Sequence, residues 1–231
     1  MKRIILALFF LLSISFALDA AQKQPPDQAK PEEAEQKMQD FSFYGFGPKG
    51  KKSWEVKGNS ADIFTDIVKL TAVIANVYGE EENINLVSDK GTYDKTSGKM
   101  HLEDNVVITT QTGGTLTTDS LDWDRDSKKV TTEDIVHIEK QTIKETAKGL
   151  EGQPDLKKVY LKDNVRVEIE EQQQLLGELV VGQKSKQPTI ITCEGPLEID
   201  YDKEIATFNN NVKADQGEQG QMYADKMEAY F

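Results

Sequence analysis

The side chains able to do chemistry are few, and most recur at fixed intervals. Histidine occurs twice, at His101 and His137, and cysteine once, at Cys193. A catalytic thiol needs a base beside it, and a zinc site needs three or four such ligands. Cys193 closes the strand-like run Thr189-Ile-Ile-Thr-Cys193 and reads as a small core residue. Carboxylates are abundant, with 40 Asp and Glu against 28 Lys and Arg, and a facing pair would suit glycoside hydrolysis. Their placement argues for another role. Asp89 with Tyr93-Asp94 is matched 30 residues on by Asp119 with Trp123-Asp124. Looser copies follow at Glu194 with Tyr201-Asp202 and at Asp225 with Met227 and Tyr230. Acids that recur with a structural repeat, beside Asn105, Asn164 and Asn211, read as turn formers, since Asp and Asn bond their own backbone and tolerate left-handed geometry. There is no phosphate loop, GxSxG elbow, HExxH or CxxC pair. No metal and no cofactor is expected, and the chain reads as a non-enzyme.

The elements that must position these residues announce themselves as a repeat. Met100-His-Leu102-Glu-Asp104-Asn105-Val106-Val-Ile108 is echoed by Lys158-Val159-Tyr160-Leu161-Lys-Asp163-Asn164-Val165-Arg-Val167 and by Ala206-Thr-Phe208-Asn-Asn210-Asn211-Val212-Lys-Ala214. A fainter copy runs from Thr132 through Ile135 and Val136 to Ile138. Each unit alternates apolar and polar residues around turn formers and so reads as a strand pair. Such a unit cannot bury its apolar face alone and must stack on its neighbours. The fold expected is all-β, an open twisted β-jellyroll of stacked antiparallel hairpin repeats. Parity puts Met100, Leu102, Val106 and Ile108 on one face, and Val159, Leu161, Val165 and Val167 likewise. Aligning the units makes Leu86, Leu116, Ile191 and Met222 equivalent, followed two residues on by Ser88, Thr118, Cys193 and Ala224. The apolar phase slips between Leu116/Thr118 and Leu121/Trp123, which predicts a bend or bulge near the recurrent acid.

Four segments are expected. In residues 1–21, Lys2 and Arg3 precede a short apolar run and then small residues, the layout of a secretory signal, with an uncleaved membrane anchor as the alternative. Residues 22–40 are rich in proline and charge and read as a flexible linker. Residues 41–140 and 141–231 are two portions of one stack. A net charge of −12 argues against nucleic acid and against anionic membrane surfaces as partners. The last unit is half a repeat, residues 227–231, and its strand is expected to offer an open edge to another chain.

Several phrases in order carry a family resemblance. The apolar N-terminal segment is followed by Trp54-Glu-Val56, Ala61-Asp62, Gly91-Thr-Tyr93-Asp94, Leu102-Glu-Asp-Asn105-Val106 and Thr117-Thr-Asp119-Ser-Leu121-Asp-Trp123. Residues 41–140 resemble LptC of the lipopolysaccharide-transport periplasmic family. Residues 159–231, with Ala206-Thr-Phe208, Asn211-Val212 and Tyr223-Ala224-Asp225, resemble its LptA/OstA-like units. The resemblance implies an apolar groove that binds lipid A acyl chains in a bridge carrying lipopolysaccharide from the inner toward the outer membrane. It places the chain in the periplasm, tethered to the inner membrane if the N-terminal segment stays uncleaved. The partners implied are lipopolysaccharide, the inner-membrane lipopolysaccharide ABC transporter and a neighbouring LptA-like protein, joined by edge-strand pairing. The groove residues expected are Leu86, Met100, Leu102, Val106, Ile108, Leu116, Val159, Leu161, Val165, Val167, Ile191, Phe208 and Met222. Trp54, Val56, Met227, Tyr230 and Phe231 are expected on the partner edges, with Trp54 either sealing the first strand or gating the groove. A rival reading is a β-solenoid structural or adhesive module without lipid. A carrier would open Leu102 and Val106 onto a gap, whereas a closed module would pack them.

Overall fold

A computed structural model describes residues 33–47, 50–79, 82–124, 126–170 and 188–230. The signal or anchor segment and the first part of the linker expected over 22–40 lie outside the described residues. The end of that linker is strand, because the first strand begins at Gln36. The strands are β1 (Gln36–Phe46), β2 (Lys52–Ile63), β3 (Ile67–Tyr78), β4 (Asn83–Asp94), β5 (Lys99–Thr110), β6 (Thr115–Asp124) and β7 (Lys129–Lys140). They continue as β8 (Ile143–Gly152), β9 (Lys158–Ile169), β10 (Thr189–Cys193), β11 (Leu197–Asp200), β12 (Ile205–Asp215) and β13 (Gln221–Tyr230). All 13 belong to one antiparallel sheet, and among the described residues the helical turns are of the 3-10 kind, one at Gly217–Gln219 and another reaching Gly50. Each strand pairs with the next along the chain, except that β10 and β11 share one lane between β9 and β12. The sheet runs unbroken through the 140/141 junction, where Lys140 pairs with Ile143.

A sheet with one apolar face must have that face covered. Here the sheet covers itself. Most strands are interrupted near the middle by a register shift, at Val87/Lys90, Glu103/Val106, Thr117/Asp122, Thr132/Ile135, Thr146/Lys148 and Asn209/Val212. Left-handed residues cluster at the same level: Asp104, Asn105, Asn164, Asn210, Asn211 and Gly149. These bulges form a corner that divides the sheet into two leaves. Leaf I ends in the turns after β2, β4, β6, β8 and β11, and leaf II in those after β1, β3, β5, β7 and β12.

The recurrent acid and asparagine meet at this corner. Asn105 Nδ2 donates to Asp89 Oδ2 at 2.7 Å, and Asn211 Nδ2 donates to Glu194 Oε1 at 2.7 Å. The repeat observed in sequence is therefore one hydrogen bond made twice, between adjacent lanes. Ser120 adds a hydroxyl donated to Asp134 at 2.6 Å. Asn supplies both the positive φ and the amide donor, which no apolar residue does. The aspartates of the other phrase make rim turns. Asp94 Oδ1 accepts the N–H groups of Thr96 and Ser97 at 2.7 and 2.9 Å, and Asp124 Oδ1 those of Asp126 and Ser127 at 3.0 and 3.1 Å.

Directly paired residues of an antiparallel sheet share a face, so the register defines rows. On the inner face of leaf II one row crosses every lane: Phe43, Val56, Ala75, Leu86, Ile108, Leu116, Ile138, Glu145, Val167, Ile191, Ala214 and Met222. The equivalence of Leu86, Leu116, Ile191 and Met222 read from the repeat is this row. Opposite it, on leaf I, Val68, Tyr93, Met100, Trp123 and Val130 stand abreast. Replacing Asn105 (φ 53°) with Val puts a β-branched residue in left-handed geometry and removes the bond to Asp89. The expected loss is about 1–3 kcal/mol, read from the urea midpoint, with Asn105→Gly costing clearly less.

Candidate functional site

Between the leaves, at the β1–β3 end, lies an apolar cleft of about 430 Å³. Leaf II contributes Phe43, Tyr44, Trp54 and Val56; leaf I contributes Val68, Leu70, Tyr93, Met100 and Trp123. Both tryptophans of the chain therefore line it. Lys95 and Gly98, from the turn after β4, stand at its rim. Local constraints build these walls. Gly45 is the partner of Trp54, and a Cβ there would lie 2.2 Å from Trp54 Nε1, so only glycine lets the indole lie across β1. The Lys95 ammonium donates to the carbonyls of Phe64 and of Thr65 (3.2 Å for the latter), tying the turn after β4 to the turn after β2. Asp94 anchors that turn: the N–H groups of Ser97 and Thr96 hold its carboxyl below the usual range.

All thirteen expected groove residues lie on the inner face, distributed over both leaves. Twelve are buried, and Met222, on the terminal lane, is 58% exposed because among the described residues no further strand covers it. Only Met100 of the thirteen lines the cleft. Leu102 and Val106 do not open onto a gap: each is 0% exposed. Large residues such as Leu121, Ile138, Leu150 and Leu161 fill the middle of the interior, and the apolar cleft lies at its N-terminal end. Tyr93 and Trp123 were not among the expected groove residues. Their recurrence 30 positions apart next to Asp94 and Asp124 was their signal, and it reads as turn chemistry until the register places them abreast of Met100.

Of the expected edge residues, Trp54 and Val56 stand one lane in, because residues 36–46 form a complete edge strand outside them. Met227 sits on the inner face of β13 opposite Phe208, while Tyr230 is exposed. Phe231 lies outside the described residues. His101 and His137 are on the outer face, whereas Cys193 is buried inside, where burial pushes its thiol pKa up. His101 contacts Asp122 at 2.7 Å and Glu103 at 3.5 Å; burial opposes its protonation, but the carboxylates prevail and raise its pKa. Among the described residues no cluster of three His, Cys, Asp or Glu side chains could hold a metal. A second hollow, of about 460 Å³, lies near the turns after β6, β8 and β11. Its Lys129, Lys158 and Lys203 pair with its own Glu151 and Asp200.

One carboxyl interrupts the inner row. Glu145 is wholly buried, and burial pushes its pKa up to about 7 against the opposing effects of Tyr201 and Lys140. A raised pKa means that the neutral acid is favoured in the folded state. Its contribution to stability is complete below the ordinary value of 4.5 and is lost as pH rises through about 7. Unfolding in urea at a series of pH values is expected to show wild type losing about 3 kcal/mol relative to Glu145→Gln over that window.

No curated protein matches the chain. The family model described as lipopolysaccharide-assembly, LptC-related, matches residues 4–170, which span β1 to β9 and hold every wall of the cleft. A single bent antiparallel sheet with an apolar inner face, carrying that match over most of its length, belongs to the LptC-related lipopolysaccharide-assembly family and has a role in lipopolysaccharide transport.

Proposed function

We propose that this chain is a periplasmic station of the lipopolysaccharide export bridge, taking acyl chains of lipid A into the cleft between the leaves and passing the lipid toward β13. The observation that carries this reading is the cleft itself, walled by aromatic and aliphatic side chains from both leaves. Each methylene transferred from water into such a site contributes roughly 0.8 kcal/mol, so an acyl chain can bind an acidic protein without help from bulk charge. The phosphates and sugars would stay at the mouth, near Lys95. In this reading the chains would move onward along the inner row of leaf II, packed here and interrupted by Glu145, from Leu86, Ile108 and Leu116 through Val167 and Ile191 to the exposed Met222.

The sheet has two edges among the described residues. β1 pairs only with β2, and β13 only with β12. An unpaired edge is a template for strand addition. The reading assigns the β1 edge to the inner-membrane transporter and the β13 edge to an LptA-like neighbour. The OstA-like phrases of residues 159–231 would then extend the stack toward that neighbour. A tether to the inner membrane through residues 1–21 would keep the β1 edge near the transporter.

The packing of Leu102 and Val106 favours the closed structural module as the second reading. Photo-crosslinking in cells separates the two, with probes at Met100 in the cleft and at Val107 on the outer face. A lipopolysaccharide adduct from Met100 and none from Val107 is the expected result. A folded, exported chain silent at Met100 would leave the closed module standing. In vitro, a lipid A titration is expected to blue-shift the emission of Trp54 and Trp123, and Met100→Asp is expected to weaken that response at least about tenfold through loss of apolar contact and burial of a charge.

A further inference from the structure

Glu145 is the one ionisable residue in a row of twelve inner-face positions on leaf II. It sits between Ile138 of β7 and Val167 of β9. Its Oε1 accepts the hydroxyl of Tyr201 at 2.9 Å. Tyr201 begins the turn after β11, on the rim of leaf I, so this bond joins the two rims on the side away from the corner. The contact is built in layers. The Lys140 ammonium lies 3.9 Å from the centre of the Tyr201 ring. Beside it, an added Cβ at Gly114 of the leaf II rim would lie 3.7 Å from Leu156 Cδ1 of the leaf I rim. Glu145 Oε2 is buried and has no hydrogen-bond partner among the described residues. A buried polar atom left unpaired is costly, so this contact is an expensive way to close an otherwise apolar seam.

We propose that the Tyr201–Glu145 hydrogen bond is a proton-controlled latch that holds the leaves shut beyond the cleft and is released when an acyl chain moves toward β13. The route of the cargo rests on the lipid reading above; the latch itself does not. Closure requires the neutral carboxyl, because an ionised one would keep a partnerless Oε2 in an apolar row. The groups facing it are few. Tyr201, from the opposite rim, is held as the phenol by burial and by the adjacent carboxyl. Lys140, from β7, is the nearby cation. Glu82, before β4, also feels Lys140; burial raises its pKa, but hydrogen bonds from Thr112 and that charge outweigh it, so Glu82 stays ionised. On the leaf I rim, Lys157 and Asp202 pair at 3.6 Å. Opening returns Glu145 to water and to its ordinary pKa, so the open form gains as pH rises from about 4.5 to about 7.

The chain carries its own reporter. Cys193, its single cysteine, is buried on the inner face of β10 opposite Val165, so parting of the leaves is expected to raise its rate of reaction with a thiol reagent. The experiment labels the full-length chain with dithiodipyridine, without lipid, as wild type, Glu145→Gln and Tyr201→Phe, at pH 5.5 and 7.5. Comparing variants at one pH cancels the changing thiolate fraction. The ratio of wild-type to Glu145→Gln rates is expected to grow at least about tenfold between the two pH values. Tyr201→Phe is expected to label several-fold faster than wild type at pH 5.5, as loss of one hydrogen bond implies. A ratio that does not change with pH, or Tyr201→Phe labelling at the wild-type rate, would overturn the latch. Circular dichroism confirms that each variant is folded. Because no lipid is present, failure here leaves the Met100 crosslinking result untouched, and a silent Met100 leaves the latch untouched.

Discussion

Everything in this fold follows from the need to bend each antiparallel strand at the same level. A flat meander of 13 strands would bury no face, and a bend placed at different heights in neighbouring strands would break the ladder. The chain solves both problems with bulges that align from lane to lane, several of them carrying Asn or Asp at positive φ. The Asn105–Asp89 and Asn211–Glu194 bonds stitch adjacent lanes at that level. Register is recovered on each side of the corner, so rows of paired residues continue uninterrupted across both leaves.

Those rows give the interior its character. A row that crosses every lane carries a chemical surface from one edge of the sheet to the other, and here the surface is apolar except at Glu145. Interior volume is unequal along it. Near β1 to β3, where Ala61 and Ala75 are among the buried residues, the leaves enclose a cleft. From β5 to β9, leucine and isoleucine on both leaves fill the same space. A carrier that passes its cargo on cannot hold it tightly at every point, because binding that deep would stop movement. A cleft followed by a closed seam is a way to separate admission from passage.

Charge is segregated to match. Among the described residues most charged side chains stand on the outer face, the corner and the rims, many in exposed pairs such as Lys90–Asp104 at 2.7 Å and Lys99–Asp124 at 3.8 Å. Such pairs contribute little to stability. The inner row of leaf II is left uncharged except at Glu145, whose burial favours the neutral acid.

The sequence by itself determined the strand content, the repeat, the inward parity of thirteen residues and the turn chemistry of the recurrent acids. All of these are local: alternation and residue type set which way a side chain points, and the 30-residue phrase repeats a local hydrogen-bond pattern. Only the tertiary structure decided which inward residues meet open space. Leu102 and Met100 are two positions apart on one face of β5, yet one is sealed and the other lines the cleft, because the difference lies in what the opposite leaf presents. The same holds for Tyr93 and Trp123, and for Glu145, which reads in sequence as one more surface acid. It is bonded by Tyr201, 56 residues away on the other rim, and contacts made across a bend leave no periodic trace in the chain.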